Sequence, residues 1–324
     1  MSSLRLFKSM RVYIFCYEAI ENGGGIYSCE LTESGLLKRR DYFPCDRPMY
    51  GVKCDKGLCV TLRMPFNGSD NGGYFFIGQD LKNPTEIKST QGLVPCHLTV
   101  ENGDTYIVNY LSGNIVKNGE ITAQRQGKSV HPTRQAEPHT HFVRQTPDGY
   151  LAVCDLGTDT LAIYDKNLLL FSEVKVPSGY GIRHLTFSKD GKYIYSVNEL
   201  VPSVSVFAYE NGKARIIDTV KIECKKEKAD GAAIRLSGDG KFLYVSLRVE
   251  NAICVFSVDG ENLTLLQKAD CGGNSPRDFD MVGNFALVTN ENSDETVVFK
   301  LNNGLLGEVV DRFSCAHPLC VVKY

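Results

Sequence analysis

The sequence predicts an all-β fold, a seven-bladed β-propeller in which the N-terminal and C-terminal strands share one blade. Three observations predict it: a unit of short strands and turns recurs, the two chain ends carry complementary pieces of one unit, and no long amphipathic helix pattern occurs. Repeats of about 40–50 residues built from short strands are typical of propeller blades. A chain of 324 residues is long enough for one such domain.

The repeat is clearest in two central stretches, which read HFVRQTPDGYLAVCDLGTDTLAIYD (141–165) and HLTFSKDGKYIYSVNELVPSVSVFAY (184–209). Each contains a strand, a glycine-containing turn, a second strand, a polar turn and a third strand. Their aromatic and β-branched residues suit a pleated, half-buried surface. The turn glycines of six units follow at intervals of 46, 46, 42, 49 and 43 residues, at Gly57, Gly103, Gly149, Gly191, Gly240 and Gly283.

The seventh unit is divided between the two chain ends. Residues 10–31 contain the later strands of a unit without its first strand, and residues 317–324, HPLCVVKY, look like a first strand alone. Joining them closes a ring and leaves no frayed sheet edge. A β-sandwich followed by another β domain is the alternative, but it does not explain the divided unit. We therefore predict one domain over residues 10–324 and a leader or disordered N-terminus over residues 1–9.

Composition argues against several classes of protein. The net charge is −2 and the pI about 6.3, so the chain has no electrostatic footprint for nucleic acid. No run of about 18 apolar residues occurs, and we expect no membrane span. The twelve cysteines are scattered and include no C-x-x-C pair, which disfavours both a disulfide framework and a zinc site. We interpret them as reduced thiols of a cytoplasmic protein.

Equivalent positions of the units are expected to converge, because the first strand of each propeller blade lines the central channel. When the units are aligned on one apolar residue of that strand, the preceding position is occupied by His97, His141, His184, Ala233 and Asp278. The position before that carries Arg183 and Arg277, and the end of the second strand carries Glu199, Arg248 and Glu291. Arginines near a channel require anionic partners or an anionic ligand.

Two histidines one residue apart, His139 and His141, precede a Pro-Asp-Gly turn. Side chains two apart on a strand face the same side, so both could reach a shared pocket. Alternatively, one of them only ties a loop to a neighbouring blade, and the sequence does not choose between them. Histidine suits metal ligation or acid–base work. A metal site usually needs three or four ligands at one point, which the sequence does not establish, so we expect neither a metal nor a cofactor.

Four motifs in order resemble a known family: EPHTH (137–141), GIRHLTF (181–187), SVNEL (196–200) and SPRDF (275–279). Together they are similar to those of the seven-bladed propeller lactonases, which include bacterial 6-phosphogluconolactonases and fungal carboxy-muconate lactonising enzymes. The likeness covers about residues 10–324 and is strongest over residues 125–300. The chain departs from the family pattern at Leu247, where asparagine is usual, and in the insertion-like loop MPFNGSDNGG (64–73).

The resemblance implies a pocket at one channel mouth and a role for each matching residue. The implied catalytic residues are Glu199, His139, His141 and Arg183. The implied substrate-binding residues are Arg248 and Arg277. The aligned inner-strand positions add His97 and His184 as expected substrate-binding residues. Arg134 is added from the segment RQGKSVHPTRQAEPHTH (125–141), which resembles the family upstream of the histidine motif.

The implied function is a lactonase that hydrolyses an anionic sugar lactone, with 6-phosphoglucono-δ-lactone as the first expected substrate. This places the chain in carbohydrate metabolism, in the pentose phosphate pathway. Arginines would clamp the anion, and Glu199 or a neutral histidine would activate water. No G-x-S-x-G elbow occurs, which disfavours an acyl-enzyme. A carboxy-muconate-type lactonising or isomerising enzyme is the alternative, because arginine binds both anions. A non-catalytic propeller scaffold is a third hypothesis.

Overall fold

The computed structural model describes residues 9–226 and 230–324, which form seven four-stranded antiparallel sheets. The chain begins with three strands of the closing blade, β1 (Met10–Cys16), β2 (Gly25–Leu31) and β3 (Leu37–Pro44). Blade 1 contains β4 (Pro48–Cys54), β5 (Gly57–Leu62), β6 (Gly73–Ile77) and β7 (Lys88–Ser89). Blade 2 contains β8 (Pro95–Glu101), β9 (Asp104–Asn109), β10 (Asn114–Lys117) and β11 (Ile121–Gln124). Blade 3 contains β12 (Thr140–Gln145), β13 (Leu151–Asp155), β14 (Thr160–Tyr164) and β15 (Leu170–Lys175).

The second half of the chain repeats this arrangement. Blade 4 contains β16 (Ile182–Phe187), β17 (Tyr193–Asn198), β18 (Ser203–Glu210) and β19 (Lys213–Lys221). Blade 5 contains β20 (Gly231–Leu236), β21 (Phe242–Leu247), β22 (Ala252–Asp259) and β23 (Asn262–Asp270). Blade 6 contains β24 (Pro276–Val282), β25 (Phe285–Asn290), β26 (Glu295–Asn302) and β27 (Leu305–Ser314), and β28 (Pro318–Lys323) is the final strand. Two single 3₁₀ turns lie at Ile20–Asn22 and Glu291–Ser293.

The closing blade confirms the predicted sharing of one sheet by the two chain ends. Its strand order is β28, β1, β2, β3, so the C-terminal strand lies innermost and pairs with the N-terminal strand. The predicted turn glycines are also confirmed, since all six adopt positive φ, from 61° at Gly283 to 110° at Gly57. That backbone region is open to glycine at little steric cost. We predicted a leader or disordered N-terminus over residues 1–9. Of these, only Ser9 belongs to the described residues, so this prediction lies almost entirely outside them.

A β-bulge recurs near the start of the innermost strand of every blade. In six blades the register against the second strand shifts between the first residue and the third, so one residue of the inner strand is left without a direct partner. In blade 5 the shift lies between Gly231 and Ile234. These bulge residues are Met49, Cys96, His141, Arg183, Ala232, Arg277 and Leu319. A bulge bends the strand and redirects a side chain, and bulges are common beside active sites.

The bulge corrects one alignment made from the sequence. The pairing places Phe142 opposite Cys154, His97 opposite Val108 and His184 opposite Val197. Phe142 is therefore the equivalent of His97 and His184, and His141 lies one position earlier, with the bulge residues. The sequence alignment took Phe142 as the apolar residue that packs between blades. In the structure Phe142 occupies the channel-facing position of His97 and His184.

Apolar clusters fill the interfaces between neighbouring blades instead of a single centre. Val12 and Ile14 of the closing blade pack with Leu287 of blade 6. On its other face, Phe15 packs with Leu58 of blade 1. All twelve cysteines are free, and ten of them are buried among these strands. In the described ranges, no helix is both long and apolar enough to cross a membrane.

Gly51 tests how tightly the closing blade fits. A Cβ added at Gly51 of β4 would lie 2.1 Å from an atom of the Phe15 ring. We expect Gly51→Ala to lower the free energy of unfolding by about 1–3 kcal/mol, because overpacking displaces the ring or the strand. Urea unfolding measures the change. Gly238→Ala is the control, since its Cβ would meet no atom within 4 Å, and a loss of equal size there would contradict the packing argument.

Candidate active site at the upper mouth of the channel

The inner strands arrange the channel in three layers, because alternate residues of a strand face the same side. The bulge residues lie at one mouth, which we call the upper mouth. The third residues of the inner strands form a ring layer below it, comprising Tyr50, His97, Phe142, His184, Ala233, Asp278 and Cys320. The fifth residues line the opposite, lower mouth, and are Val52, Thr99, Arg144, Thr186, Arg235, Asp280 and Val322.

A second set of side chains reaches the upper mouth from the residue that follows the second strand of each blade. These residues are Tyr17, Arg63, Tyr110, Leu156, Glu199, Arg248 and Glu291. Four of them, Arg63, Tyr110, Glu199 and Arg248, line a cavity of about 320 Å³ together with bulge residues. This volume is within the size range of small-molecule sites. Its polar lining consists of Arg63, Tyr110, Arg134, His141, Glu199, Arg248 and Arg277.

Glu199 is the centre of a cluster of three arginines. Its Oε2 accepts a hydrogen bond of 2.8 Å from Nε of Arg183, and its Oε1 lies 3.1 Å from Nη2 of Arg248 and also contacts Arg134. Arg183 and Glu199 are both only 2% exposed. Burial raises the pKa of Glu199, but the charges of Arg248 and Arg183 outweigh it and hold that pKa well below its ordinary value. The carboxylate is therefore ionised and a weak base.

Arg183 is held rigidly at the floor of the site. Its Nη1 donates a hydrogen bond of 2.6 Å to the carbonyl oxygen of Ala232 in the next blade. Burial, followed by the positive charge of Arg277, lowers the pKa of Arg183 to about 9. The guanidinium is still protonated at neutral pH, and an additional negative charge nearby would stabilise it.

His141 projects from its bulge into the cavity, as the histidine motif predicted for one of the pair. Burial and the charge of Arg183 hold the pKa of His141 well below its ordinary value, so its ring is neutral at pH 7. Its buried Nδ1 has no hydrogen-bond partner among the described residues. A neutral imidazole without a fixed partner can accept a proton.

His139 serves a different purpose from His141. Its Nδ1 lies 2.9 Å from the carbonyl oxygen of Tyr110 in the preceding blade, and its ring stacks on Tyr110 with centroids 4.4 Å apart. Its backbone nitrogen donates to Asp155 at 2.8 Å. His139 does not line the upper cavity, and it is the histidine that ties a loop to a neighbouring blade. Its expected catalytic role has no support in this geometry.

His97 and His184 lie below the upper cavity, which corrects the expectation that they share its mouth. His184 borders a void of about 20 Å³ beneath the cavity, and His97 borders the lower mouth. Both belong to the ring layer, where His97 packs 4.2 Å from Tyr50 and 4.1 Å from Phe142, measured between ring centroids. The one-residue shift at the bulge is the physical reason for their position.

Two further carboxylates border the upper mouth. Asp230 lies 3.4 Å from Arg248, and Glu291 lies 3.5 Å from Arg277. Glu291 also pairs with His317 at 3.1 Å. Within the described residues, no group of three or more His, Cys, Asp or Glu side chains could hold a metal ion.

The match to a family model decides the affiliation of this chain. The model of the seven-bladed β-propeller lactonases matches residues 11–323. The chain belongs to this lactonase family. A curated relative, the uncharacterized protein YwcC of Lactococcus lactis, is 30% identical over 300 residues, which cover 85% of this chain and 87% of the relative.

Solved structures of similar proteins share the whole ring. The "putative 6-phosphogluconolactonase" of Bacteroides fragilis superimposes with a TM-score of 0.88 at 26% identity, covering 100% of this chain and 99% of the other. The periplasmic gluconolactonase PpgL of Pseudomonas aeruginosa gives 0.87 at 25% identity, covering 98% of this chain and 99% of the other.

Two residues that line the cavity, Arg63 and Tyr110, were not among the predicted site residues. Arg63 lines the cavity and has no hydrogen bond or ion pair through its side chain with any described residue. The signal for it was present, because Arg63 follows β5 in VTLR as Arg248 follows β21 in VSLR. Tyr110 also lines the cavity, and its hydroxyl accepts a hydrogen bond from Arg134 at 3.4 Å. Arg134, named from its segment alone, does lie at the mouth.

The departure at Leu247 concerns a strand end and not the cavity. Asparagine occupies the last position of the second strand in three other blades, at Asn109, Asn198 and Asn290. Asn109 donates a hydrogen bond to the backbone carbonyl oxygen of Thr90, and Asn290 donates one to that of Cys271. Leu247 is fully buried and fills the same place by apolar packing.

Glu199→Gln tests whether the carboxylate holds the cluster together. We expect a loss of about 3–5 kcal/mol in the free energy of unfolding at neutral pH, because three arginines would lose their common partner. Since the pKa of Glu199 is depressed, this contribution is present above pH 4.5 and disappears as the pH falls through the folded-state value.

Glu173→Gln is the matched control for this prediction. Glu173 pairs with Arg125 at 3.0 Å, but its side chain is 46% exposed, so we expect a loss of about 1 kcal/mol or less. Chemical denaturation of both variants measures the difference. Equal stability of the Glu199 variant and the wild type would contradict a structural role for the cluster.

Proposed function

We propose that this protein is a lactonase that hydrolyses an anionic sugar lactone, with 6-phosphoglucono-δ-lactone as substrate and 6-phosphogluconate as product. One observation carries the proposal: a neutral histidine, His141, and several arginines converge on one cavity of small-molecule size at the channel mouth. The names of two similar structures, a gluconolactonase and a "putative" 6-phosphogluconolactonase, support a sugar lactone as the class of substrate.

The charge around the cavity suits a dianion. The five arginines at the upper mouth outnumber its three carboxylates by two, with Arg63, Arg134, Arg183, Arg248 and Arg277 against Glu199, Asp230 and Glu291. A phosphate ester carries a charge of about −1.5 to −2 at neutral pH. Guanidinium groups bind such oxyanions through two parallel hydrogen bonds.

The arginines differ in how many donors they have free. Arg134, Arg183 and Arg248 all contact Glu199, so their orientation is set by the protein. Arg277 has only one long contact, at 3.5 Å, and Arg63 has none among the described residues. We assign Arg63 to the phosphate, and Arg277, at the floor beside His141, to the carbonyl oxygen of the lactone.

Hydrolysis then requires few protein groups. His141 accepts a proton from a water molecule as the water oxygen forms a bond to the lactone carbonyl carbon. The positive charges of Arg277 and Arg183 stabilise the resulting oxyanion. The carbon–oxygen bond of the ring breaks, the imidazolium returns its proton to the leaving alkoxide, and the product is a hydroxy acid whose carboxylate forms after loss of one proton to solvent.

His141 is a better candidate for the base than Glu199. Both oxygens of Glu199 are engaged by arginines, which holds its pKa well below that of an ordinary glutamate. His141 has no such partner, and the negative charge of a bound substrate would raise its pKa towards neutrality. A positioned general base typically contributes about 10²–10⁴-fold to the rate. Cys96, at the same floor, has its pKa raised to about 12 by burial and is no nucleophile at neutral pH.

Hydrolysis of freshly generated 6-phosphoglucono-δ-lactone, coupled to detection of 6-phosphogluconate, tests the proposal. We expect a wild-type rate well above the uncatalysed background. A rate equal to background would overturn this substrate. Turnover of a carboxylated muconate-type lactone by the same protein would then favour the alternative chemistry of the family, since arginine also binds carboxylates.

Arg63→Ala tests the assignment of the phosphate. We expect kcat/KM for the phosphorylated lactone to fall about 10–100-fold, as a charged hydrogen bond contributes about 1.5–3 kcal/mol. For unphosphorylated glucono-δ-lactone, kcat/KM should stay unchanged. Arg215→Ala, which removes an exposed arginine from the outer strand β19, is the control. Equal losses on both lactones would place Arg63 away from the phosphate.

The pH dependence tests His141 as the base. Because its pKa lies below 6.5, kcat/KM should be constant down to pH 6.5 and should fall only at lower pH, as the imidazole becomes protonated. In His141→Gln the rate should drop about 10²–10⁴-fold, and this acidic limb should disappear. Initial rates corrected for spontaneous opening measure both. An acidic limb that persists unchanged in the variant would assign the base to another group.

A further inference from the structure

The lower mouth of the channel contains a second cavity, of about 430 Å³, on the opposite side of the ring layer. The aromatic rings of that layer separate the two mouths, since His97 packs 4.1 Å from Phe142, and Phe142 packs 4.9 Å from His184, between ring centroids. None of the side chains that hold the proposed lactone borders this lower cavity. The two cavities are therefore distinct sites.

Basic side chains predominate at the lower mouth. Lys53, Arg144, Arg235 and Lys323 line it, with Glu101 and Asp280 as the acidic residues. Most of these charges are already satisfied. Arg235 pairs with Asp278 at 2.6 Å, and Lys323 pairs with Asp280 at 3.1 Å. The ammonium of Lys53 lies over the ring of Tyr324 at 4.4 Å, and Thr99 donates to Glu101 at 2.6 Å.

Arg144 is the exception among them. It is the fifth residue of the inner strand β12, and it forms no side-chain hydrogen bond or ion pair with any residue in ranges 9–226 and 230–324. Solvent reaches the guanidinium through the mouth, although channel walls surround it on several sides. This enclosure and the charge of Arg235 both lower the pKa of Arg144, so its surroundings disfavour the positive charge that it carries.

A hydroxyl group on the next blade complements this arginine. Thr186 is the fifth residue of β16, directly after Arg144 in the order of blades, and it lines the same cavity. Its hydroxyl forms no hydrogen bond with any described residue. A forked guanidinium beside a free hydroxyl offers several donors to a single oxyanion.

We propose that the lower mouth is a second binding site, in which Arg144 and Thr186 hold the carboxylate or phosphate of a small anion. The cavity has the volume of a small-molecule site, and the anion supplies the partner that Arg144 lacks. The site is independent of the lactonase proposal, because its residues belong to another layer of the inner strands.

Calorimetric titration at low ionic strength tests the site, with inorganic phosphate and gluconate as the two probes. The proteins are the wild type, Arg144→Gln, the double variant Arg63→Gln/Arg277→Gln and the control Arg215→Gln, whose arginine is exposed on β19. The double variant removes both arginines that are assigned to the substrate at the upper mouth, so the binding that remains reports the lower one. We expect it to retain a site for at least one probe, and the probe that binds identifies phosphate or carboxylate as the preferred group.

Arg144→Gln should weaken that site by at least about tenfold, since the arginine is its main charged donor. The variant should keep the lactone hydrolysis of the wild type, and Arg215→Gln should bind both probes as the wild type does. Thermal unfolding verifies that the variants are folded. If Arg144→Gln binds both anions with wild-type affinity and stoichiometry, or if the double variant Arg63→Gln/Arg277→Gln binds neither, the proposal is overturned.

Discussion

The β-bulge near the start of each inner strand is the constraint on which the channel depends. It leaves one residue of each strand without a direct partner and turns it into the upper mouth, before the regular alternation of the strand resumes. His141 and Arg277 reach the cavity only in this way, and Arg183 reaches the small void beneath it. The same shift moves His97 and His184 into the ring layer, so one local irregularity determines both the site and the plug beneath it.

The blades stabilise a buried cluster of charges around Glu199. Burying a guanidinium and a carboxylate together costs desolvation energy, which good geometry and further hydrogen bonds must offset. Arg183 meets Glu199 within its own blade and a carbonyl oxygen of the next. The cluster thus orients arginines before any substrate arrives, and such preorganisation is what electrostatic stabilisation of an oxyanion requires.

The two mouths use the same construction for different purposes. At the upper mouth, bulge residues and the residues after the second strands carry the arginines, and most of these face a shared carboxylate. At the lower mouth, the fifth residues provide fewer charges, and of these Arg144 alone forms no hydrogen bond or ion pair with a described residue. Since each blade contributes one residue to each layer, the two mouths are lined by different residues of the same inner strands.

The sequence by itself determined the number of blades, the shared closing blade and most residues of the upper mouth, because turn glycines and strand periodicity are local features. For the same reason it located Arg183 and Arg277 at one repeated position and Glu199 and Arg248 at another. Only the tertiary structure decided between His139 and His141. A bulge shifts the pairing by one residue, and the residue types of the strand do not indicate this shift. Contacts across blades join residues that are far apart in the chain.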